Sequence, residues 1–252
     1  MNEKREPKEK ATLSEAQENR TPASKAQDSV KKNNATTSQK QGYKSLYNRF
    51  LKHLIDFILA LFLAIILLPF YLIITLLVAS EDGFPVLYKP QRGGYHDKPF
   101  RIFKFRTMVK NADKIGGGTT ALNDPRITKV GNFLRKTKLD ETPQLFNILN
   151  GTMSFIGPRP ELLQYTSKYE GDEKLIFEVR PGITDFSSVE FINLDEIVGS
   201  GNADEIYEKY VLKQKNELRV KYAREVSFGT DVKLFFVTVW GVIKKALKFI
   251  FK

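Results

Sequence analysis

The chain has 252 residues, enough for one large domain or two small ones. Its formal charge of +11 calls for an anionic partner, whether nucleic acid, anionic lipid or a phosphorylated small molecule. It has no cysteine, and its two histidines, His53 and His96, lie far apart. Disulfides and thiolate metal sites are thereby excluded, and any metal is expected on oxygen ligands, as magnesium is.

Residues 1–42 are polar and charged and carry almost no large apolar side chain. Such a segment cannot offset its ordering entropy and reads as a disordered tail. Leu54 to Ala79, LIDFILALFLAIILLPFYLIITLLVA, is almost continuously apolar. As a helix it would be roughly 39 Å long, enough to cross a hydrocarbon core of about 30 Å. Pro69 lies just past its middle, where it removes a hydrogen bond and crowds the preceding turn. Lys44, Arg49 and Lys52 precede the segment, and Lys89, Arg92, Lys98 and Arg101 follow it. Positive charge at both ends fits a helix that bends at Pro69 and returns to the side it entered. One kinked spanning helix is the alternative. The expected organisation is a membrane-inserted segment over 43–80 and one further domain over 81–252.

Pro85 to Tyr88 and Phe100 to Phe105 read as strands around a Gly93-Gly94 turn. The alternation predicts Arg101, Phe103 and Phe105 on one face and Ile102, Lys104 and Arg106 on the other. Lys110 to Ala121, with three consecutive glycines, reads as a mobile loop. Thr142 to Leu149 reads as a helix ended by Asn150-Gly151, and Ser154 to Ile156 as a short strand. Ala203 to Val226 is an amphipathic helix. Leu234 to Phe251 is another, either lying among lipid headgroups or packed as a core helix with its lysines in solvent.

The stretch DPRITKVGNFLRKTKLDETPQLFNILNGTMSFIGPRP, Asp124 to Pro160, sets Asp140 and Glu141 among Arg126, Arg135 and Arg159. Asp140 precedes a helix, where an aspartate serves as an N-cap. The same place, rich in arginine, also suits phosphate, and cations there would keep a carboxylate ionised for nucleophilic attack. Two carboxylates can also bridge magnesium to a diphosphate. Arg180-Pro181-Gly182 reads as a rigid turn displaying an arginine, and Asp124-Pro125-Arg126 as a phosphate contact or a turn held by its own ion pair.

FKFRTM, DPRIT, LDETPQLFNILNGTMSFIGPRP and RPGIT together resemble the monotopic phosphoglycosyl transferases, bacterial sugar transferases that start surface-polysaccharide assembly. The resemblance runs from about Tyr43 to the C-terminus. It implies a helix-rich α/β catalytic domain with a Pro-broken re-entrant helix and amphipathic interfacial helices, on the cytoplasmic face of the bacterial inner membrane. It implies transfer of a sugar-1-phosphate from a UDP-sugar to undecaprenyl phosphate with release of UMP, for capsule, O-antigen, exopolysaccharide or glycoconjugate synthesis. Asp140 would be the nucleophile, Glu141 its partner, and both would hold Mg2+. Lys104, Arg106, Arg126, Arg135, Arg159 and Arg180 would grip phosphates. Membrane lipid and downstream glycosyltransferases are the further partners it implies.

Three departures from that pattern are visible, one of them the long tail before Tyr43, which lies outside the resemblance. Leu68-Pro69 stands where the family usually has Ser-Pro, and the chain after Thr184 leaves the commoner Gly-Trp-Ala-Gln pattern, with Ile192 where an arginine often lies. Two rival readings remain: a membrane-anchored scaffold or regulator that binds anionic lipid or nucleotide, and an ordinary glycosyl transferase that releases UDP. A nucleic-acid partner is not expected, because the basic charge is scattered and nothing resembles a recognition helix.

Overall fold

A computed structural model of the chain describes residues 41–115, 120, 124–199 and 202–250. The tail reading over 1–42 lies outside the described residues except for Gln41 and Gly42. So does most of the glycine-rich part of the loop reading over Lys110 to Ala121, within which Ala112–Ile115 form one helical turn.

The apolar segment is one helix, α1, Lys52–Asp82, entered through a π-helical turn at Tyr47–Leu51. The helical assignment runs through Pro69 without interruption. At 31 residues it is about 46 Å long. One stripe of α1 packs on the rest of the domain: Lys52, Asp56, Ala60, Ala64, Ile74 and Val78 are buried, with Leu63, Leu67 and Tyr71 partly so. The spacing of three and four residues is that of one helix face. The opposite face leaves Leu54, Ile58, Phe62, Ile65, Leu68, Leu72 and Leu76 about three-fifths exposed, far more apolar surface than a water-facing helix carries.

Polar contacts hold both ends of α1 to the same domain. Lys52 pairs with Asp231 at 2.5 Å, and Ser154 donates to Asp56 at 2.5 Å. At the far end Arg106 donates to the carbonyls of Asp82 and Gly83, and Glu81 accepts the amides of Lys129 and Val130. A cation on the last carbonyls and a carboxylate on exposed first-turn amides both answer helix-end groups that lack partners.

The strands are short. Leu87–Tyr88 pairs antiparallel with Lys104–Phe105, and Gln91–Arg92 with Phe100–Arg101. Ile102 and Phe103 between them are not strand, so the expected two-faced alternation fails: Ile102, Phe105 and Arg106 are all buried. The Ile102 amide bonds Pro90, and the Phe103 amide bonds the side chain of Asn147. Ser154–Ile156 is a strand as expected, paired parallel with Gly182–Thr184. A Cβ on Gly182 would lie 2.1 Å from the Gly157 amide nitrogen, so the GPRP and RPGIT segments can touch only as glycines.

The second half is helical. Helix α2 is Lys129–Thr137 and helix α3 is Gln144–Leu149. The expected Ala203 to Val226 helix is present as Ala203–Ile206, a π-helical turn at Tyr207–Val211, and α4, Leu212–Glu225. Helix α5, Phe228–Ile250, begins earlier than the sequence predicts. One core joins α1 to α3 through Ala60, Ala64, Ile102, Leu145, Ile148 and Met153. A second joins α4 and α5 through Ile156, Tyr222, Ala223, Val226 and Leu234.

Candidate active site

Asp140 and Glu141 lie in a 3-10 turn, Leu139–Glu141, entered from Lys138 in the left-handed conformation (φ 62°). This corrects the expected N-cap: α3 starts only at Gln144, its cap is Pro143, and Asp140 makes no capping bond. The turn rests on α1, because the Tyr71 hydroxyl donates to the Thr142 carbonyl at 2.9 Å and the Tyr71 ring packs on Phe105 and Phe146. The candidate nucleophile is therefore seated on the apolar helix.

Glu141 Oε1 accepts from Arg159 Nη2 and from Lys104 Nζ, the latter at 3.2 Å. Arg159 is itself fixed. Its Nη1 donates to the Ile183 carbonyl at 2.7 Å, and its amide bonds Asp185. Asp185 is fully buried and also takes the hydroxyls of Ser187 and Ser188 and the Ser188 amide. The divergent stretch after Thr184 thus holds the arginine that holds Glu141.

The two carboxylates are pushed apart. Burial, then the neighbouring Glu141 charge, raises the Asp140 carboxyl above its ordinary value, against Lys104, Lys138 and Arg135. The cations expected around this carboxyl do act on it, but burial outweighs them. Burial would also raise Glu141, but Arg159, then Lys104 and Lys138, outweigh it and hold that carboxyl well below the usual range. A pair split this way assigns one group as the permanent anion and leaves the other as the stronger nucleophile when ionised.

Of the basic residues singled out in the sequence, Lys104 and Arg159 contact Glu141, and Arg135 lies close enough to act on Asp140 while bonding Thr107. Three are elsewhere. Arg106 clamps the end of α1. Arg126 forms a forked pair with Asp124, at 2.9 and 2.6 Å, and bonds the Ala112 carbonyl, so the self-bridged turn is the arrangement seen. Arg180 bonds the Gly151 carbonyl and lies over the Tyr95 ring, beside a cavity of about 360 Å³ that His53, Asp56 and Phe57 also line. One residue the sequence reading missed stands with the pair. Lys138 acts on both carboxylates; its signal was a cation two positions before Asp140. Gln144, at the start of α3, is wholly buried with neither amide atom bonded among the described residues.

The family profile described as bacterial sugar transferase covers residues 47–245. The chain belongs to that family. It is 38% identical over 205 residues to the UDP-glucose:undecaprenyl-phosphate glucose-1-phosphate transferase of Escherichia coli, covering 79% of this chain and 42% of that protein. It is 33% identical over 213 residues to the UDP-galactose-lipid carrier transferase of Erwinia amylovora, covering 79% of this chain and 41% of that protein. An uncharacterised sugar transferase of Bacillus subtilis is 36% identical over 193 residues, covering 77% of this chain and 87% of that protein. The chain thus spans less than half the length of the first two relatives.

In this bacterial sugar transferase Asp140 and Glu141 are the residues that would hold a hard divalent ion. Among the described residues no group of three or more histidine, aspartate or glutamate side chains is gathered. Magnesium, however, is commonly held by one or two carboxylates together with substrate phosphates and water. Asp140 Oδ1 is buried without a hydrogen-bond partner among the described residues, and both cations on Glu141 fall on Oε1. That donor set suits an ion shared with a diphosphate.

Proposed function

We propose that this chain transfers a sugar-1-phosphate from a UDP-sugar to undecaprenyl phosphate and releases UMP. The observation that carries the reading is Asp140, a buried carboxylate with an oxygen unbonded among the described residues, beside a Glu141 neutralised by Arg159 and Lys104, in a chain of this family. The name of the Escherichia coli relative supports transfer of a sugar-1-phosphate to undecaprenyl phosphate, and that of the Erwinia relative supports a UDP-sugar and a lipid carrier.

In this reading an Asp140 oxygen attacks the sugar-bearing phosphorus of the UDP-sugar. The new bond is carboxylate oxygen to phosphorus, and the bond broken is the diphosphate bridge, so UMP leaves. An oxygen of the lipid phosphate then attacks the same phosphorus, the acyl phosphate bond breaks, and Asp140 is regenerated with a lipid diphosphate sugar as product. Arg159 and Lys104 hold Glu141 in place and balance its charge, so that the anionic donor meets a pocket that is not dominated by carboxylates. Lys138 and Arg135 supply further positive charge beside Asp140. Mg2+, held by Asp140 and Glu141, would screen the diphosphate when bound. One pocket used twice in turn avoids binding two anionic substrates side by side.

The membrane geometry belongs to the same proposal: α1 inserts and re-emerges on one face, the cytoplasmic face of the inner membrane. Its support is that Lys52 and Asp56 at one end, and Glu81 and Asp82 at the other, all bond the catalytic domain. A helix that crossed the bilayer would carry its two ends to opposite sides. Helix α5 would lie in the headgroups, since Phe236, Trp240, Ile243 and Leu247 are exposed along it.

The test is covalent labelling by a radiolabelled UDP-sugar, after a screen of UDP-sugars for UMP release. Asp140→Asn should abolish labelling while leaving the protein in the membrane. Labelling that survives the substitution, or release of UDP in place of UMP, sinks the proposal.

A further inference from the structure

We infer that the cavity at the start of α1 binds the headgroup of an anionic phospholipid, with Arg180 gripping its phosphate. The inference rests on the proposed insertion of α1 in lipid, and not on the chemistry assigned to Asp140.

The cavity holds about 360 Å³, within the range of ligand pockets, roughly 300 to 1,000 Å³. Its walls are of two kinds. Leu54 and Phe57, three apart on one face of α1, line it together with Leu149 at the end of α3 and Met153 just beyond. His53 and Arg180 form the polar side. The chain changes character at this point: Lys52 and His53 end the polar approach to α1, and Leu54 opens the apolar run. Leu54 and Phe57 are about half exposed. With α1 in lipid, the cavity stands where headgroup phosphates meet acyl chains.

Arg180 is fixed in place with its charge unmatched. Its Nε donates to the Gly151 carbonyl at 2.8 Å, and its guanidinium carbon lies 5.0 Å from the centre of the Tyr95 ring. Both terminal nitrogens are left without a hydrogen bond among the described residues. Arg106, Arg126 and Arg159, by contrast, each pair with a carboxylate. The acid in the cavity lining, Asp56, is turned to the Ser154 hydroxyl and the Phe155 amide, with Lys52 at 3.8 Å. A planar guanidinium with open N–H groups suits two oxygens of one phosphate. His53 stands close enough to Arg180 for the two charges to interact, and its ring can supply a further donor. A soluble anion would leave the apolar wall unused, whereas a lipid fills both halves. Basic pockets beside membrane helices take anionic headgroups in this way.

The occupant is a resident lipid and not the reacting acceptor. Asp140 precedes α3 and Leu149 ends it, so the cavity opens at the far end of that helix, at least about 9 Å from the carboxylate pair. A lipid seated there touches α1, α3 and the turn ahead of the Gly182–Thr184 strand at once. It ties the membrane helix to the domain and stabilises the fold by binding only its native form.

The experiment is native mass spectrometry of the full chain in detergent, titrated with phosphatidylglycerol, with melting temperatures measured alongside. The wild-type chain should retain one phosphatidylglycerol and melt higher with it. Arg180→Gln should bind it about tenfold more weakly, the scale of one charge-assisted bond. Arg180→Lys keeps the charge and should recover most of that affinity, whereas a merely structural role through Gly151 and Tyr95 would be lost in both variants. Leu54→Trp narrows the cavity from the exposed face of α1, leaves Arg180 intact, and should also weaken binding, so the inference can be tested even if Arg180→Gln folds poorly. Wild-type affinity in Arg180→Gln or in Leu54→Trp overturns the inference. So does displacement of the lipid by inorganic phosphate, which would make this a free-anion site, or preferential displacement by undecaprenyl phosphate, which would make it an acceptor site. A chain that carbonate washes off the membrane removes the insertion reading itself. A chain that stays in the membrane yet retains no phosphatidylglycerol removes this inference alone.

Discussion

Arg159 binds Glu141 with one arm of its guanidinium and the Ile183 carbonyl with the other. This fork ties the carboxylate pair to the parallel strands Ser154–Ile156 and Gly182–Thr184. Lysine cannot span both acceptors. Arg159→Lys should therefore lower turnover by about a hundredfold, the scale of losing one directed donor in an active site. Arg159→Ala should in addition cost about 2 kcal/mol of stability, since Glu141 loses one of the two cations that bond it and keeps Lys104. Steady-state UMP release and thermal denaturation read the two effects separately.

Tyr71 couples the membrane helix to the site through one hydrogen bond to Thr142. Tyr71→Phe keeps the ring packing on Phe105 and Phe146 and deletes only that bond. The expected loss is about 1 kcal/mol of stability, with a fall in kcat and an unchanged KM for the UDP-sugar. Equal kcat values for the two proteins would mean that α1 supports the site by packing alone.

Glu161 lies in a buried cluster behind Arg159. Burial alone would raise its carboxyl, but Arg219, with Lys215 and the Tyr207 hydroxyl, holds it down to about 2. A carboxylate whose folded value lies below its unfolded value stabilises the fold fully above the unfolded value of 4.5, and that stabilisation fades as pH falls toward 2. The shift corresponds to about 3 kcal/mol. Lys215 behaves oppositely: burial pushes it down to about 8, so its charge weighs against the fold below that pH, and the burden lifts as pH climbs toward 10.5. Glu161→Gln should melt lower at pH 7 and lose the acid dependence between pH 4.5 and 2. Melting curves across pH would show it, and an unaltered acid limb would refute it.

The chain has no cysteine, so single cysteines can report topology cleanly. Lys44 precedes α1 and is exposed, and Ser80 is exposed near its end. With α1 returning to one face, Lys44→Cys and Ser80→Cys should react equally with a membrane-impermeant thiol reagent in inverted vesicles, and neither should react in intact cells. Opposite accessibility would make α1 a crossing helix.

Much of this architecture is local and so was legible residue by residue. The apolar run of α1, the Ser154–Ile156 strand and the amphipathic stretch from Ala203 all follow from periodicity and turn residues. What misled was cooperative. The alternation from Arg101 to Arg106 looked like one strand, but Asn147 captures the Phe103 amide and interrupts it. Asp140 looked like a cap, but Lys138 in the left-handed conformation starts a separate 3-10 turn ahead of α3.

By itself the sequence determined that this is a cationic, cysteine-free chain with a membrane-length apolar helix and an Asp-Glu pair among arginines. Composition and short-range spacing are enough for that. Only the tertiary structure decided which cations attend the pair. Lys104 and Arg159 reach Glu141 from 37 and 18 residues away, while Arg106, Arg126 and Arg180 are taken by Asp82, Asp124 and Gly151. Each guanidinium binds the acceptor that folding brings near it, and burial then sets the balance between Asp140 and its neighbours. Neither can be read from a string of letters, because both depend on groups that meet only once the core has closed.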